Sequence, residues 1–156
     1  MEPKSTLKER RFGCPNRFHS PFFATLFGSD FKEKQTDSYA LKKIKLEEFL
    51  HFIALIYDFV VHVDQDSVEY LLKLADMYQC NMVTRYCHNY LLYADAMPNV
   101  ERIIISDRYG FSDAAVIAVK KASLAELKDL AGNGSMKNLK MVTTLSFITE
   151  RLNFNF

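Results

Sequence analysis

Apolar residues recur along most of this chain at helical spacing, and two short stretches break that rule. Residues 1–18 carry no sustained period and are interrupted by Gly13 and Pro15. Ser20-Pro21 then predicts a helix start, with Ser as N-cap and Pro at the first helical position. Phe23, Leu26 and Phe27 share one face, and Gly28 ends the element. Residues 38–44 alternate polar and apolar, with Tyr39 and Leu41 on one side, which predicts a strand. A helix follows over about 46–59, with Phe49, Ile53, Ile56 and Tyr57 as its buried stripe and Leu50 widening it.

Beyond residue 65 the pattern is helical throughout. Asp66-Ser67-Val68-Glu69 reads as a capping box, Asp66 as cap and Glu69 reaching back. The helix it opens turns Val68, Leu71, Leu72 and Ala75 inward. Asn81 is expected to cap the next one, whose stripe is Val83, Cys87 and Leu91, joined by Tyr90. Pro98 marks a boundary, and Ile103, Ile104 and Ile105 belong to a helix ending near Gly110. Further helices are predicted over about 112–122, 124–130 and 138–152, with a turn at Asn133-Gly134-Ser135. One internal echo stands out. Residues 74–80 (LADMYQC) resemble residues 105–111 (ISDRYGF), and at the same offset Cys87 corresponds to Ala118, both small. This predicts two stacked helical hairpins, each turning near a tyrosine and packing back through a small residue.

The 156 residues suit one domain with a short appendage, and 49% hydrophobic with 25% charged residues is ordinary for a globular chain. Thirteen Phe and eight Tyr with no Trp predict an aromatic-rich core. A net charge of +1 gives no global pull toward nucleic acid or membrane. Locally, Lys4, Lys8, Arg10, Arg11 and Arg17 crowd the N-terminus. Such an arm suits nucleic-acid binding or localisation, but the run is short and interrupted, which favours a solvated leader. Three cysteines and no apolar leader argue against a disulfide framework and for an intracellular protein with reduced thiols. In that setting the Asn133-Gly134-Ser135 glycosylation triplet goes unused. The apolar run near 52–63 is too short and too polar to span a bilayer.

No catalytic constellation emerges, and no cofactor is expected. With five Gly the chain has neither a dinucleotide fingerprint nor a phosphate loop. Cys80, Cys87 and His88 are the nearest metal candidate, but the cysteine spacing is too wide for a zinc knuckle and Cys87 sits on an apolar stripe. His88 would point about 100° away from Cys87 on a helix. His51 and His62 fall at polar positions and are expected to be solvated. Glu47-Glu48 already has an ordinary role in a helix's first turn, opposite the N-terminal dipole, which stands against reading it as an acid/base pair.

His19-Ser20-Pro21-Phe22-Phe23 resembles the segment that opens a central helix of BTB/POZ domains. In register with it, Phe31-Lys32-Glu33 stands where that family often has a hydrophobic-x-Glu motif, and Ile56-Tyr57 resembles the end of its next helix. Residues 68–76 (VEYLLKLAD) and Cys87 through Leu91 resemble its closing helices. The match spans 19–92 and is most similar to BTB domains of MATH–BTB proteins, with 100–130 like the helical extension that follows there. The resemblance implies an α+β, mostly α-helical fold: a BTB-like core over 19–95 with a reduced β-sheet, then a helical extension over 96–156, after a basic leader over 1–18. Since the family's upstream strands and MATH domain find no match, a shortened core is expected, with the strand at Tyr39–Leu41 lacking partners. Such a chain would be marginally stable, would associate, or would be plugged by its own leader through Phe12 and Phe18.

By that resemblance the function is protein–protein interaction: an adaptor contacting a cullin-type E3 ubiquitin ligase scaffold of the third paralogue class. Phe31 would anchor in a partner pocket or pack on its own domain. Glu33 would orient it or belong to a solvated charge run, and the Tyr57 hydroxyl would reach the interface or stay in the core. The alternative is self-association with other BTB proteins as homo- or heterodimers, without ligase contact, in competition with full-length relatives. A nucleic-acid factor is the weakest reading.

Overall fold

Apolar stripes that no single helix can cover by itself force the helices of this chain to pair, and two of the pairs repeat one another. The computed structural model describes residues 44–57, 61–93 and 95–153. In order the helices are α1 (Leu46–Ile56), α2 (Val68–Met77), α3 (Asn81–Tyr93), α4 (Asn99–Arg108), α5 (Ser112–Lys121), α6 (Leu124–Gly132), a short 3-10 turn (Ser135–Asn138) and α7 (Val142–Asn153). No strand occurs among the described residues. The expected helix at 20–28, most of the strand at 38–44, and the leader lie outside them, and so do Phe31 and Glu33.

The predicted hairpins form, with a common turn. At the end of α2 the N–H groups of Tyr78, Gln79 and Cys80 donate to the carbonyls of Leu74, Asp76 and Ala75 at 2.9, 3.2 and 2.8 Å. At the end of α4, Tyr109, Gly110 and Phe111 donate to Ile105, Asp107 and Ser106 at 3.2, 3.3 and 2.8 Å. The same bonds recur residue for residue, and both turns place a left-handed residue in the same slot, Gln79 at φ 52° and Gly110 at φ 78°. This is the helix stop in which a left-handed residue lets the chain double back onto the last carbonyls. Cys87 and Ala118, the paired small residues, are both fully buried.

Two apolar clusters result. The first joins Phe52 and Leu55 of α1, Val68, Leu71, Leu72, Leu74 and Ala75 of α2, and Val83, Cys87 and Leu91 of α3. It is aromatic where α1 meets the α2 turn: Tyr78 lies 5.7 Å from Phe52 and 6.0 Å from Phe49, centroid to centroid. The second joins Ile103, Ala118, Val119, Leu127, Leu130, Leu139 and Ile148. The hairpin α4–α5 belongs to both, because Ile105 and Ala114 face the first cluster while Ile103 and Ala118 face the second.

Several local expectations are corrected. The capping box before α2 sits two residues earlier than predicted. Ser67 N–H donates to Asp64 Oδ1 and Asp64 N–H donates to Ser67 Oγ, both at 2.8 Å. Hydrogen bonding from Ser67, its hydroxyl first and its N–H after, holds Asp64's carboxyl below its ordinary value. Asp66 is exposed, and Glu69 instead meets Arg108 of α4 at 2.6 Å and Lys73 at 3.3 Å. Asn81 is the first residue of α3, and the carbonyl of Cys80 before it accepts from Thr84 N–H at 3.2 Å. The reciprocal box that does open a helix at a Ser-x-x-Glu sequence is at α6. Glu126 N–H donates to Ser123 Oγ at 3.2 Å and Ser123 N–H donates to Glu126 Oε2 at 2.7 Å. The last helix starts at Val142, four residues later than predicted from 138, because residues 135–138 form the 3-10 turn.

Candidate interaction surface

α1 carries two apolar lines. Lys45 precedes it, extended and making no side-chain cap bond, with its ammonium 3.4 Å from Glu48. Glu47 and Glu48 lie in the first turn, where carboxylates favour the positive end of the helix dipole. Phe52 and Leu55 are buried, and Phe49, Ile53 and Ile56 pack against the same cluster half-buried. The other line is Leu46, Leu50 and Tyr57, exposed at 69, 56 and 58%. At 100° per residue these three lie within roughly 40° of arc, well over 90° round from Phe52 and Leu55. Tyr57, placed in the core stripe by the sequence reading, is therefore a surface residue, and so is Leu50. The reason is geometric: the helix ends at Ile56, and Tyr57, whose N–H reaches back to Ile53 O at 3.1 Å, falls on the solvent side of the helix. The i, i+4, i+11 spacing of Leu46, Leu50 and Tyr57 was a readable signal of this second face.

The far side of α1 is tied down by a histidine. His51 Nδ1 lies 2.6 Å from the Tyr70 hydroxyl of α2 and Nε2 lies 3.1 Å from the His62 carbonyl. A carbonyl only accepts, so Nε2 donates to His62 O. His51 is thus half-buried and paired rather than solvated, and α1 is held against α2 while its outer line stays open. His62 itself is exposed.

The cysteine–histidine group has a structural arrangement. Cys87 is fully buried on the stripe with Val83 and Leu91, and burial pushes its thiol up to about 12. Cys80 is buried too, and its thiol is also raised by burial. His88 turns away to Asp113 at 2.8 Å and stacks on Phe111 at 4.6 Å, joining α3 to α5. Among the described residues no three His, Cys, Asp or Glu side chains converge as metal ligands would. No helix among them is long and apolar enough to cross a membrane.

Against this geometry, the BTB/POZ domain profile matches residues 17–94, half of the chain, and ends one residue past α3. The chain belongs to the BTB/POZ domain family. The BTB match contains α1, α2 and α3, and so contains both the exposed line and the helices that hold it. The chain is similar to BTB and MATH domain-containing protein 38 of Caenorhabditis elegans, 27% identical over 137 residues, which is 86% of this chain and 35% of that protein. It is 31% identical to BTB and MATH domain-containing protein 45 of the same organism over 91 residues, 58% of this chain and 19% of that one. Kelch repeat and BTB domain-containing protein 1 of Ectromelia virus (strain Moscow) is 30% identical over 91 residues, 58% of this chain and 16% of that protein. The chain therefore spans about a third or less of the length of these relatives. No solved structure matches it. A BTB domain is a protein–protein interaction module, and that is the class of function this chain carries.

Proposed function

We propose that this BTB chain is a non-enzymatic adaptor acting inside the cell, docking a cullin-type E3 ubiquitin ligase scaffold through the outer face of α1. The observation that supports the reading most is the open Leu46–Leu50–Tyr57 line on a helix of the BTB match. Large apolar side chains on one arc of a rigid helix are what a partner pocket needs, and a tyrosine adds a hydroxyl for the polar rim. Phe31 and Glu33 are assigned to the same contact on the strength of their hydrophobic-x-Glu sequence, Phe31 as anchor and Glu33 as the polar group beside it.

Calorimetry of the full chain against the N-terminal domain of a third-class cullin tests this. Phe31→Ala is expected to weaken binding about thirtyfold, the ~2 kcal/mol of a truncated hot-spot aromatic. Tyr57→Ala and Glu33→Ala should each weaken it about tenfold. Equal affinity for wild type and all three variants removes these residues from the site. The same open apolar line also suits pairing with another BTB chain. Light scattering that finds dimers, together with calorimetry that finds no cullin binding, would replace the adaptor by a self-association module competing with longer relatives.

A further inference from the structure

The joint between α5 and α6 has a feature that interaction through α1 does not use. Lys120, Lys121, Ala122, Ser123 and Leu124 run in sequence, and no other Ser or Thr of the chain follows two adjacent basic residues at this spacing. We infer that Ser123 is a phosphorylation site for a basic-directed serine/threonine kinase, one whose substrate cleft carries carboxylates that pair with cations two and three residues before the hydroxyl.

The structure supplies the conditions such an enzyme needs. Ser123, Lys120 and Lys121 are all exposed. The backbone is already extended at Ala122 (φ −64°, ψ 143°) and at Ser123 (φ −71°, ψ 158°), the form in which a chain lies along a cleft. The last turn of α5 must open to bring both lysines into line, which releases the Arg151 guanidinium from the carbonyls of Val119 and Lys120, each at 2.8 Å, and helix ends open most readily. What holds the two lysine side chains is exchangeable. Lys121 pairs with the exposed Asp95, and Lys120 sits over the Phe147 ring at 5.7 Å. A cleft carboxylate replaces each of these with a like or stronger partner. The Ser123 oxygen accepts from Glu126 N–H at 3.2 Å.

In the transfer, Ser123 Oγ attacks the γ-phosphorus of magnesium-bound ATP supplied by the kinase. A new O–P bond forms, the bond from that phosphorus to the β,γ-bridging oxygen breaks, and ADP leaves. The hydroxyl proton passes to the kinase's catalytic carboxylate. The product places a dianion in the cap position of α6, where it repels Glu126 from the Ser123 N–H and competes with Asp95 for Lys121. The joint between the two halves of the helical array is thereby recast.

The test incubates the full chain with Mg-ATP and the catalytic subunit of cyclic-AMP-dependent protein kinase and maps the product by tandem mass spectrometry. One phosphate per chain at Ser123 is expected, with none in Ser123→Ala. Lys120→Gln combined with Lys121→Gln should lower the initial rate at least tenfold while the melting curve stays in place, so that loss of folding is not mistaken for loss of recognition. Absence of phosphate on Ser123 overturns the inference, and so does a double-glutamine chain labelled at the wild-type rate.

Discussion

The hairpins α2–α3 and α4–α5 share a backbone and differ in what fills it. At the common offset Leu71 corresponds to Arg102, Leu72 to Ile103, Leu74 to Ile105, Ala75 to Ser106 and Asp76 to Asp107. The first four positions are buried in both hairpins, but α2 fills them with apolar side chains only. In α4 the same slots hold a guanidinium and a hydroxyl. Arg102 reaches the end of α3: Nε donates to the Leu91 carbonyl and an Nη to the Leu92 carbonyl, which the helix itself leaves without partners. Asp107, 3% exposed where Asp76 is open, takes the N–H groups of Lys140 at 2.6 Å and Met141 at 3.0 Å on its two oxygens and so caps the approach to α7. One hairpin is thus an apolar wedge. The other is a splice, whose polar groups terminate the helices before and after it. Position alone does not decide whether a slot must be apolar; what matters is whether an open helix end lies within reach.

Exchanging the two chemistries gives the largest expected effect. Leu71→Arg puts a guanidinium into the fully buried slot that corresponds to Arg102 but lies in the apolar cluster with Leu72 and Val83. An unpaired buried charge costs on the order of 4 kcal/mol or more, a drop of about 10 °C in melting midpoint for a chain this size. The reverse change, Arg102→Leu, keeps the slot filled and removes the two bonds to α3. It also removes a buried Nη1 with no hydrogen-bond partner among the described residues, so the net cost should be smaller, about 1–2 kcal/mol. Burial lowers the Arg102 pKa, the direction expected for a cation taken out of water. If thermal melts show Arg102→Leu to be as damaging as Leu71→Arg, the slots are equivalent and the contrast fails.

The next largest effect compares the aspartates. Asp107→Ala strips the N–H groups of Lys140 and Met141 of their acceptors and should cost about 2 kcal/mol in urea unfolding. Asp76→Ala touches an exposed side chain and should stay within about 0.5 kcal/mol. Equal costs would mean that Asp107 is not acting as a cap.

How much of this was legible follows from the range of each interaction. The paired turns were readable because Tyr, a turn residue and a small packing residue recur at one offset, and the bonds at 78–80 and 109–111 are local. The stripe Val83, Cys87 and Leu91 was readable from helical period alone, and its three members are fully buried. Arg102 and Asp107 were not readable, since their partners lie 10 to 34 residues away and nothing in α4's own pattern says that an arginine faces inward. Tyr57 was misplaced for a related reason: apolar residues wrap most of α1, and only the packing against α2 and α3 decides which line is covered. Phe31 and Glu33, read from family resemblance, lie outside the described residues, so the proposed contact rests on their sequence and on the open face of α1.

The smallest expected effect concerns the shared turn. Gln79 occupies at φ 52° the slot that Gly110 occupies at φ 78°. A side chain in the left-handed region costs about 1–2 kcal/mol, because Cβ crowds the following carbonyl. Glycine escapes that cost but gives the unfolded chain more freedom, which takes back about 0.4–1 kcal/mol. Gln79→Gly should therefore stabilise by about 0.5–1 kcal/mol, and Gly110→Ala should destabilise by a similar amount. An added Cβ at Gly110 meets nothing within 4 Å among the described residues, so a steric clash with them does not confuse the second measurement. Differential scanning calorimetry of the two variants should show midpoints moving in opposite directions by about 2–3 °C. Midpoints that move together would show that the two turns, alike in their hydrogen bonds, carry different strain, and the repeat would then be one of pattern and not of energetics.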